Sequence, residues 1–239
     1  MGTDFLGEFF GTLMLVLLGN GAVANILLTQ SKANGGGWIV IATGWAFAVL
    51  SGVLVAVGIG SNGHINPAVT LAFAYSSGAW TTVPSYIAGQ FAGGFVGAVL
   101  VWLAFLPHWA KTEDAGLKFA CFSTSPAIRD AKSNFATEAI ATFVLVFVII
   151  AIFSKAVGAS GVLAPLMVAF LVWGIGLSLG GPTGYALNPA RDLAPRVAHA
   201  VLPIAGKGSS DWGYSWVPVV APITGALLAI VVARAVGLG

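Results

Sequence analysis

Two short stretches decide the fold of this chain: GHINPAVTLAF at residues 63–73 and GYALNPARDLA at residues 184–194. Each contains Asn-Pro-Ala, and each interrupts a sequence that is otherwise strongly apolar. Proline suits the first turn of a helix, because its missing N–H has no partner there. Asparagine is a favoured N-cap, because its side-chain oxygen accepts a backbone N–H of that turn. The motifs therefore predict helices that begin beside Asn66 and Asn188.

The composition indicates an integral membrane protein. Of the 239 residues, 58% are hydrophobic and only 8% are charged, whereas a soluble domain is about a quarter charged. A surface so poor in charge is typical of a protein surrounded by bilayer hydrocarbon. The formal net charge is only +2, so we expect no nucleic acid partner.

Six stretches are long and apolar enough to cross a bilayer, which takes about 20 residues in a helix. They are predicted at residues 5–28, 38–59, 83–106, 135–154, 162–179 and 216–236. The longest polar connection is a loop at residues 107–132. It joins two repeats of three spans each, about 1–106 and 133–239, within a single domain over 1–239.

Two further apolar segments, 67–76 and 189–199, are too short to cross. At about 1.5 Å per residue, each reaches roughly half the hydrocarbon thickness. They follow the second and the fifth span, so they hold equivalent positions in the two halves. An odd number of full spans in each half inverts one half relative to the other. The predicted fold is all-α, with six transmembrane helices and two half-helices in an inverted repeat.

Half-helices entering from opposite sides are expected to meet start to start at the centre of the bilayer. There, two asparagine amides and the positive ends of two helix dipoles face a shared space. A water molecule that points its oxygen at both amides breaks a proton wire, and the positive ends repel cations. The predicted pore is lined by both motifs: Asn66, Pro67, Ala68, Asn188, Pro189 and Ala190.

The motifs SNGHINPAVT and GYALNPARD, with one glutamate near the start of each half (Glu8 and Glu138), resemble the major intrinsic protein family of aquaporins and glycerol facilitators. The resemblance covers nearly the whole chain. It implies an aquaporin-like fold, a homotetramer with one pore per subunit, and cytoplasmic termini in the plasma membrane. Most basic residues fall in loops that this orientation places outside, against the positive-inside rule; we follow the resemblance.

Members of this family narrow the pore near its outer mouth with four residues, which the resemblance places at Trp45, Gly176, Tyr185 and Arg191. Water-selective members usually have His where this chain has Gly176. We therefore expect a gap and free backbone there. A polyol would lay its CH groups on the Trp45 and Tyr185 rings and bond Arg191 through its hydroxyls. The spacing to the first motif leaves Ala46 as an alternative to Trp45.

Four more residues are predicted to lie beside the pore or to support it. Glu8 and Glu138 are expected to accept hydrogen bonds from the extended segment before each half-helix. A role in proton transfer is disfavoured, because no chain of ionisable partners accompanies them. The resemblance places His64 beside the pore, and Asp192 is expected to pair with Arg196.

The sequence thus predicts a passive channel for glycerol, other small uncharged solutes and water, which excludes ions and protons. Its predicted partners are those solutes and the lipid bilayer. Two alternatives stay open: a strictly water-selective channel and, less favoured, an ion-coupled secondary transporter, which inverted repeats also build. The chain contains no GxSxG, P-loop, CxxC or HExxH motif. We therefore predict a protein that is not an enzyme and that uses no cofactor and no metal.

Overall fold

A computed structural model describes residues 2–238, and this part of the chain is helical without a strand. The domain predicted over 1–239 includes residues 1 and 239, which lie outside the described residues. The helices are α1 Thr3–Leu27, α2 Trp38–Ile59, α3 Pro67–Ser77, α4 Val83–Ala104, α5 Leu106–Lys111, α6 Ala115–Ala120, α7 Ala131–Phe153, α8 Leu163–Leu179, α9 Pro189–Val201 and α10 Val217–Ala235.

The six predicted spans are present as helices. Five of them, α1, α2, α4, α7 and α10, have 19 to 25 residues and are apolar enough to cross a membrane. The remaining span, α8, has 17 residues. Its length of about 26 Å is a little less than the roughly 30 Å of bilayer hydrocarbon. The chain is a multi-pass membrane protein.

The connection between the halves differs from the prediction. Helix α7 begins at Ala131 instead of residue 135. The reason is a cap: the Asp130 carboxylate accepts the backbone N–H of Ser133 at 2.7 Å. This hydrogen bond also holds the pKa of Asp130 below its ordinary value. The predicted loop 107–132 is not irregular throughout, because it contains the end of α5 and all of α6.

The half-helices α3 and α9 have 11 and 13 residues and begin as the motifs predict. The side-chain oxygen of Asn66 accepts the N–H of Ala68 at 2.9 Å. That of Asn188 accepts the N–H groups of Ala190 and Arg191 at 3.0 and 3.1 Å. Local cap chemistry thus sets both helix starts.

Each half-helix packs mainly against the last long helix of the other half: α3 against α10, and α9 against α4. Glycines permit these close approaches. A methyl group at Gly94 of α4 would lie 3.1 Å from Cβ of Ala194 in α9. On the α1 side of the same helix, a methyl group at Gly97 would lie 2.7 Å from the carbonyl oxygen of Leu13.

A basic side chain closes the C-terminal end of each half-helix, where backbone carbonyls lack partners and the helix dipole is negative. The Lys207 ammonium donates to three carbonyls at the end of α9, at 2.7 to 2.8 Å. The Arg234 guanidinium donates to the carbonyl of Ser76 at the end of α3, at 2.9 Å. Both half-helices therefore have their outer ends neutralised, while their starts face the centre.

Candidate functional site

The two asparagine amides meet at the centre of the molecule, and each is tied to the opposite half. The Asn66 amide donates to the carbonyl of Leu187 at 2.9 Å. The Asn188 amide donates to the carbonyl of Ile65 at 2.7 Å. An amide NH₂ carries two hydrogens, so each asparagine keeps one donor for the space between them. The Pro and Ala residues of both motifs are buried in the first turns of α3 and α9.

Two cavities extend from this centre. A wide one of about 670 Å³ lies on the His64 side. A narrow one of about 50 Å³ lies on the Arg191 side. The same six residues line both: Leu15, Val49, Asn66, Leu145, Val172 and Asn188. The two cavities therefore adjoin at both asparagines, and the narrower one lies toward Arg191; together they are called the passage below.

The narrow end contains a buried cation against an aromatic wall. The guanidinium carbon of Arg191 lies 3.9 Å from the centroid of the Trp45 ring, within the range of a cation–π contact. Trp45 lines the narrow cavity and Ala46 does not, so the open choice between them falls on Trp45. Arg191 is only 7% exposed. Its guanidinium donates to no acceptor within residues 2–238, and Nη1 is a buried donor without a partner. Arg191 lines the narrow cavity, and its donors other than Nη1 are the ones that an occupant can reach.

Both expectations for Gly176 need correction. The Tyr185 ring fills the expected gap. A methyl group added at Gly176 would lie 2.9 Å from Cζ and 3.0 Å from the hydroxyl oxygen of Tyr185. The expected free backbone is occupied, because the Gly176 carbonyl accepts the indole N–H of Trp38 at 2.8 Å. This carbonyl lies in the last turn of α8, where no following helical N–H is available to it.

Tyr185 borders the narrow cavity with a buried polar group. The side chain is 4% exposed, and its hydroxyl has no hydrogen-bond partner among the described residues. A buried hydroxyl without a partner is costly; this one lies against Gly176, where an added methyl group would be 3.0 Å from it.

The two glutamates hold the segments that lead to the half-helices. Glu8 accepts the backbone N–H of His64 at 2.9 Å and that of Ile65 at 2.6 Å. Glu138 accepts two successive N–H groups, of Ala186 at 2.9 Å and Leu187 at 3.0 Å. Each carboxylate thus fixes the backbone that presents a carbonyl to the asparagine of the other half.

These segments need such support because their backbone is strained. Ile65 and Leu187 have φ values of 43° and 57°, a region that β-branched and bulky residues rarely adopt. Such conformations persist only where the surroundings over-determine them.

His64 and Asp192 occupy different surroundings. The His64 ring lines the wide cavity, with Nδ1 at 3.2 Å from the Thr70 hydroxyl. Asp192 lies outside the lining of both cavities. It forms a fully buried ion pair with Arg196 at 2.7 Å and accepts the N–H and hydroxyl of Thr124, each at 2.7 Å. This network joins α9 to the loop before α7.

The sequence model of the major intrinsic protein family matches residues 2–232 of this chain. The chain therefore belongs to that family. A probable glycerol uptake facilitator protein of Thermotoga maritima is 54% identical over 225 residues, which cover 94% of this chain and 95% of that protein. The glycerol uptake facilitator protein of Streptococcus pneumoniae is 51% identical over 237 residues, covering 97% and 98% of the two chains.

A solved structure has the same fold. The X-ray structure of the aquaglyceroporin from Plasmodium falciparum is similar with a TM-score of 0.86 and 30% sequence identity, over 99% of each chain. The aquaporin fold predicted from the two motifs is thereby confirmed.

The sequence did not predict several residues that line the two cavities, nor the contact made by Trp38. The apolar ones, Leu15, Val49, Leu145 and Val172, lie within spans that are apolar on every side, so no pattern marks them. For Trp38 the sequence predicted only that a helix begins there, after the glycines at 35–37. Within residues 2–238, no three His, Cys, Asp or Glu side chains lie close enough together to hold a metal ion.

Proposed function

We propose that this protein is a passive channel of the plasma membrane for glycerol, other small uncharged solutes and water, and that it excludes ions and protons. The observation that carries the proposal is the single passage past Asn66 and Asn188, which narrows beside the unpaired guanidinium of Arg191. The names of the relatives, glycerol uptake facilitators at 51% and 54% identity, support the choice of solute.

A polyol has an apolar edge of CH groups and a polar edge of hydroxyls, and the passage offers a wall for each. The rings of Trp45 and Tyr185 and the apolar side chains of the centre receive the CH groups. Arg191 and the two asparagine amides donate to the hydroxyls. Within residues 2–238 the backbone carbonyls of 62–64 and 184–186 accept no protein hydrogen bond, so they are free to accept from the solute. A polyol therefore replaces its water contacts as it passes, which lowers its desolvation cost.

Charge explains the exclusion of cations. Arg191 is the positive group of the narrow end, and the starts of α3 and α9 add two positive helix ends at the centre. In surroundings of low dielectric these charges repel a cation more strongly than they would in water. Among the described residues that line the two cavities there is no carboxylate. This disfavours an ion-coupled transporter, because such a carrier needs a site for its driving cation.

A central water molecule is oriented by the two asparagines. Each amide has one N–H bound to a carbonyl of the other half and one left over. A water that accepts from both remaining N–H groups turns its hydrogens outward, and the chain of donors needed for proton hopping is broken.

The assembly and the membrane are part of the same proposal. Family membership supports a homotetramer in which each subunit has its own pore. We place the tetramer in the lipid bilayer of the plasma membrane with cytoplasmic termini, so that the wide cavity opens to the cytoplasm. Native mass spectrometry of the purified protein tests the subunit number.

Light scattering of vesicles tests the function. Vesicles with and without the protein are mixed rapidly with a glycerol solution, which reports the rate of glycerol entry. They are mixed separately with an impermeant osmolyte, which reports the rate of water exit. We expect both to be faster than in empty vesicles. Fast water with glycerol no faster than in empty vesicles would instead support a strictly water-selective channel. Accumulation of glycerol against its gradient would support a transporter.

A further inference from the structure

Trp38, the first residue of α2, joins three parts of the narrow end. Its indole N–H donates to the carbonyl of Gly176 in α8 at 2.8 Å. Its ring meets the ring of Tyr185 edge to face, with centroids 5.8 Å apart and an interplanar angle of 71°. Trp38 is 40% exposed and lines neither cavity, so it lies behind Tyr185 as seen from the narrow cavity that Tyr185 lines.

The phenol ring of Tyr185 is packed against two glycines of the α8 end. A methyl group at Gly176 would lie 2.9 Å from Cζ of this ring. A methyl group at Gly180 would lie 2.6 Å from its Cδ1 and 2.7 Å from Cζ2 of Trp38. Tyr185 and Trp38 therefore share a surface that has no side chains of its own, and each ring limits the movement of the other.

The Tyr185 side chain needs a restraint that its own segment does not supply. Its backbone has φ of 38°, an uncommon conformation for a bulky residue. Glu138 fixes the N–H groups of the two following residues but accepts no hydrogen bond from the phenol. The Tyr185 hydroxyl has no partner among the described residues. The ring is therefore positioned by packing, and Trp38 is the aromatic ring that packs against it.

We propose that Trp38 is a positioning residue that sets the size limit of the passage by holding the Tyr185 ring opposite Arg191. This inference rests on the proposed channel function. The indole N–H anchors Trp38 to α8, and the edge-to-face contact keeps the phenol from tilting away from the narrow cavity. Without this restraint the ring gains room to tilt, the narrow end widens, and polyols longer than glycerol enter.

The test measures a ratio that does not depend on how much protein folds. Vesicles containing the wild type, Trp38→Phe or Trp38→Ala are mixed with glycerol or with a five-carbon polyol, and the ratio of the two permeabilities is taken from one preparation. We expect Trp38→Phe, which removes the N–H and keeps an aromatic ring, to raise the ratio of five-carbon polyol to glycerol about fivefold, as the loss of one hydrogen bond suggests. Trp38→Ala should raise it further. Trp212→Phe, at a tryptophan that is 49% exposed, is the control and should leave the ratio unchanged.

A second comparison asks whether Trp38 acts through Tyr185. If it does, Trp38→Phe should change the ratio little when Tyr185→Ala is already present, because coupled residues are not additive. An unchanged ratio in both Trp38 variants, or the same fold-change with and without Tyr185→Ala, would overturn the inference. Glycerol entry in the wild type with an unchanged ratio in the variants defeats this inference alone. Wild-type vesicles no more permeable to glycerol than empty ones defeat the proposed function as well.

Discussion

A single methyl group at Gly176 should separate glycerol from water. In Gly176→Ala, the new Cβ would lie 2.9 and 3.0 Å from two atoms of the Tyr185 phenol. Ordinary carbon contacts are about 3.5–4.0 Å, so the ring must retreat by about 0.5–1 Å. The Trp38 ring packs edge to face against it, so we expect the ring to retreat into the narrow cavity, which Tyr185 and Arg191 both line.

The size of the effect follows from the volume available. The narrow cavity has about 50 Å³, whereas a water molecule needs only about 10–15 Å³ measured in this way. Overpacking of this kind costs about 1–3 kcal/mol, and about 1.4 kcal/mol is a factor of ten. A glycerol molecule fills the narrow cavity, so most of this cost should add to the free-energy barrier for its passage. Glycerol permeability should therefore fall about tenfold. Water permeability should fall less than about threefold, since the reduced cavity still exceeds the space that one water needs.

The assay is vesicle light scattering with glycerol and with an impermeant osmolyte. Gly174→Ala is the matched control, because it adds the same methyl group to the same helix at a position where no atom lies within 4 Å. Gly176→His, with a larger side chain, should extend the trend. Equal slowing of glycerol and water, or the same loss of glycerol in Gly174→Ala, would refute the reasoning.

Three further predictions concern the groups that hold the passage in shape, and the unfolding midpoint in detergent checks each. Glu138→Ala leaves two buried backbone N–H groups without an acceptor, at about 1–3 kcal/mol each, so the midpoint should fall clearly; an unchanged midpoint contradicts the assigned contacts. Arg196→Met strands the buried carboxylate of Asp192, which should cost about 3–5 kcal/mol. Adding Asp192→Asn, which removes the charge and keeps an oxygen for the Thr124 N–H, should recover part of that loss, while Arg129→Gln, at an exposed ion pair, should cost less than about 1 kcal/mol. Lys207→Met removes the cation from the end of α9, and we expect a loss of about 1–2 kcal/mol; a gain in stability would contradict it.

The spans were predictable to within a few residues because an apolar run of about 20 residues can satisfy its backbone in lipid only as a helix. The starts of α3 and α9 were predictable because Asn and Pro act on the turn in which they stand. The start of α7 was missed, although the Asp130 cap on Ser133 is also a local signal. The predicted gap at Gly176 was wrong for a different reason. A missing side chain leaves space only if no neighbour fills it, and the Tyr185 ring reaches it from an irregular segment.

The amino-acid sequence by itself determined that this is a membrane protein with six spans and two half-helices that begin at Asn66 and Asn188. Those features depend on composition, on the length of apolar runs and on chemistry within one helical turn. Only the tertiary structure decided which backbone carbonyl each asparagine amide bonds, that Trp45 and not Ala46 faces Arg191, and that Trp38 reaches Gly176. These hydrogen bonds join residues 121, 123 and 138 positions apart. They are set by how the helices of one half cross those of the other, which no local pattern encodes.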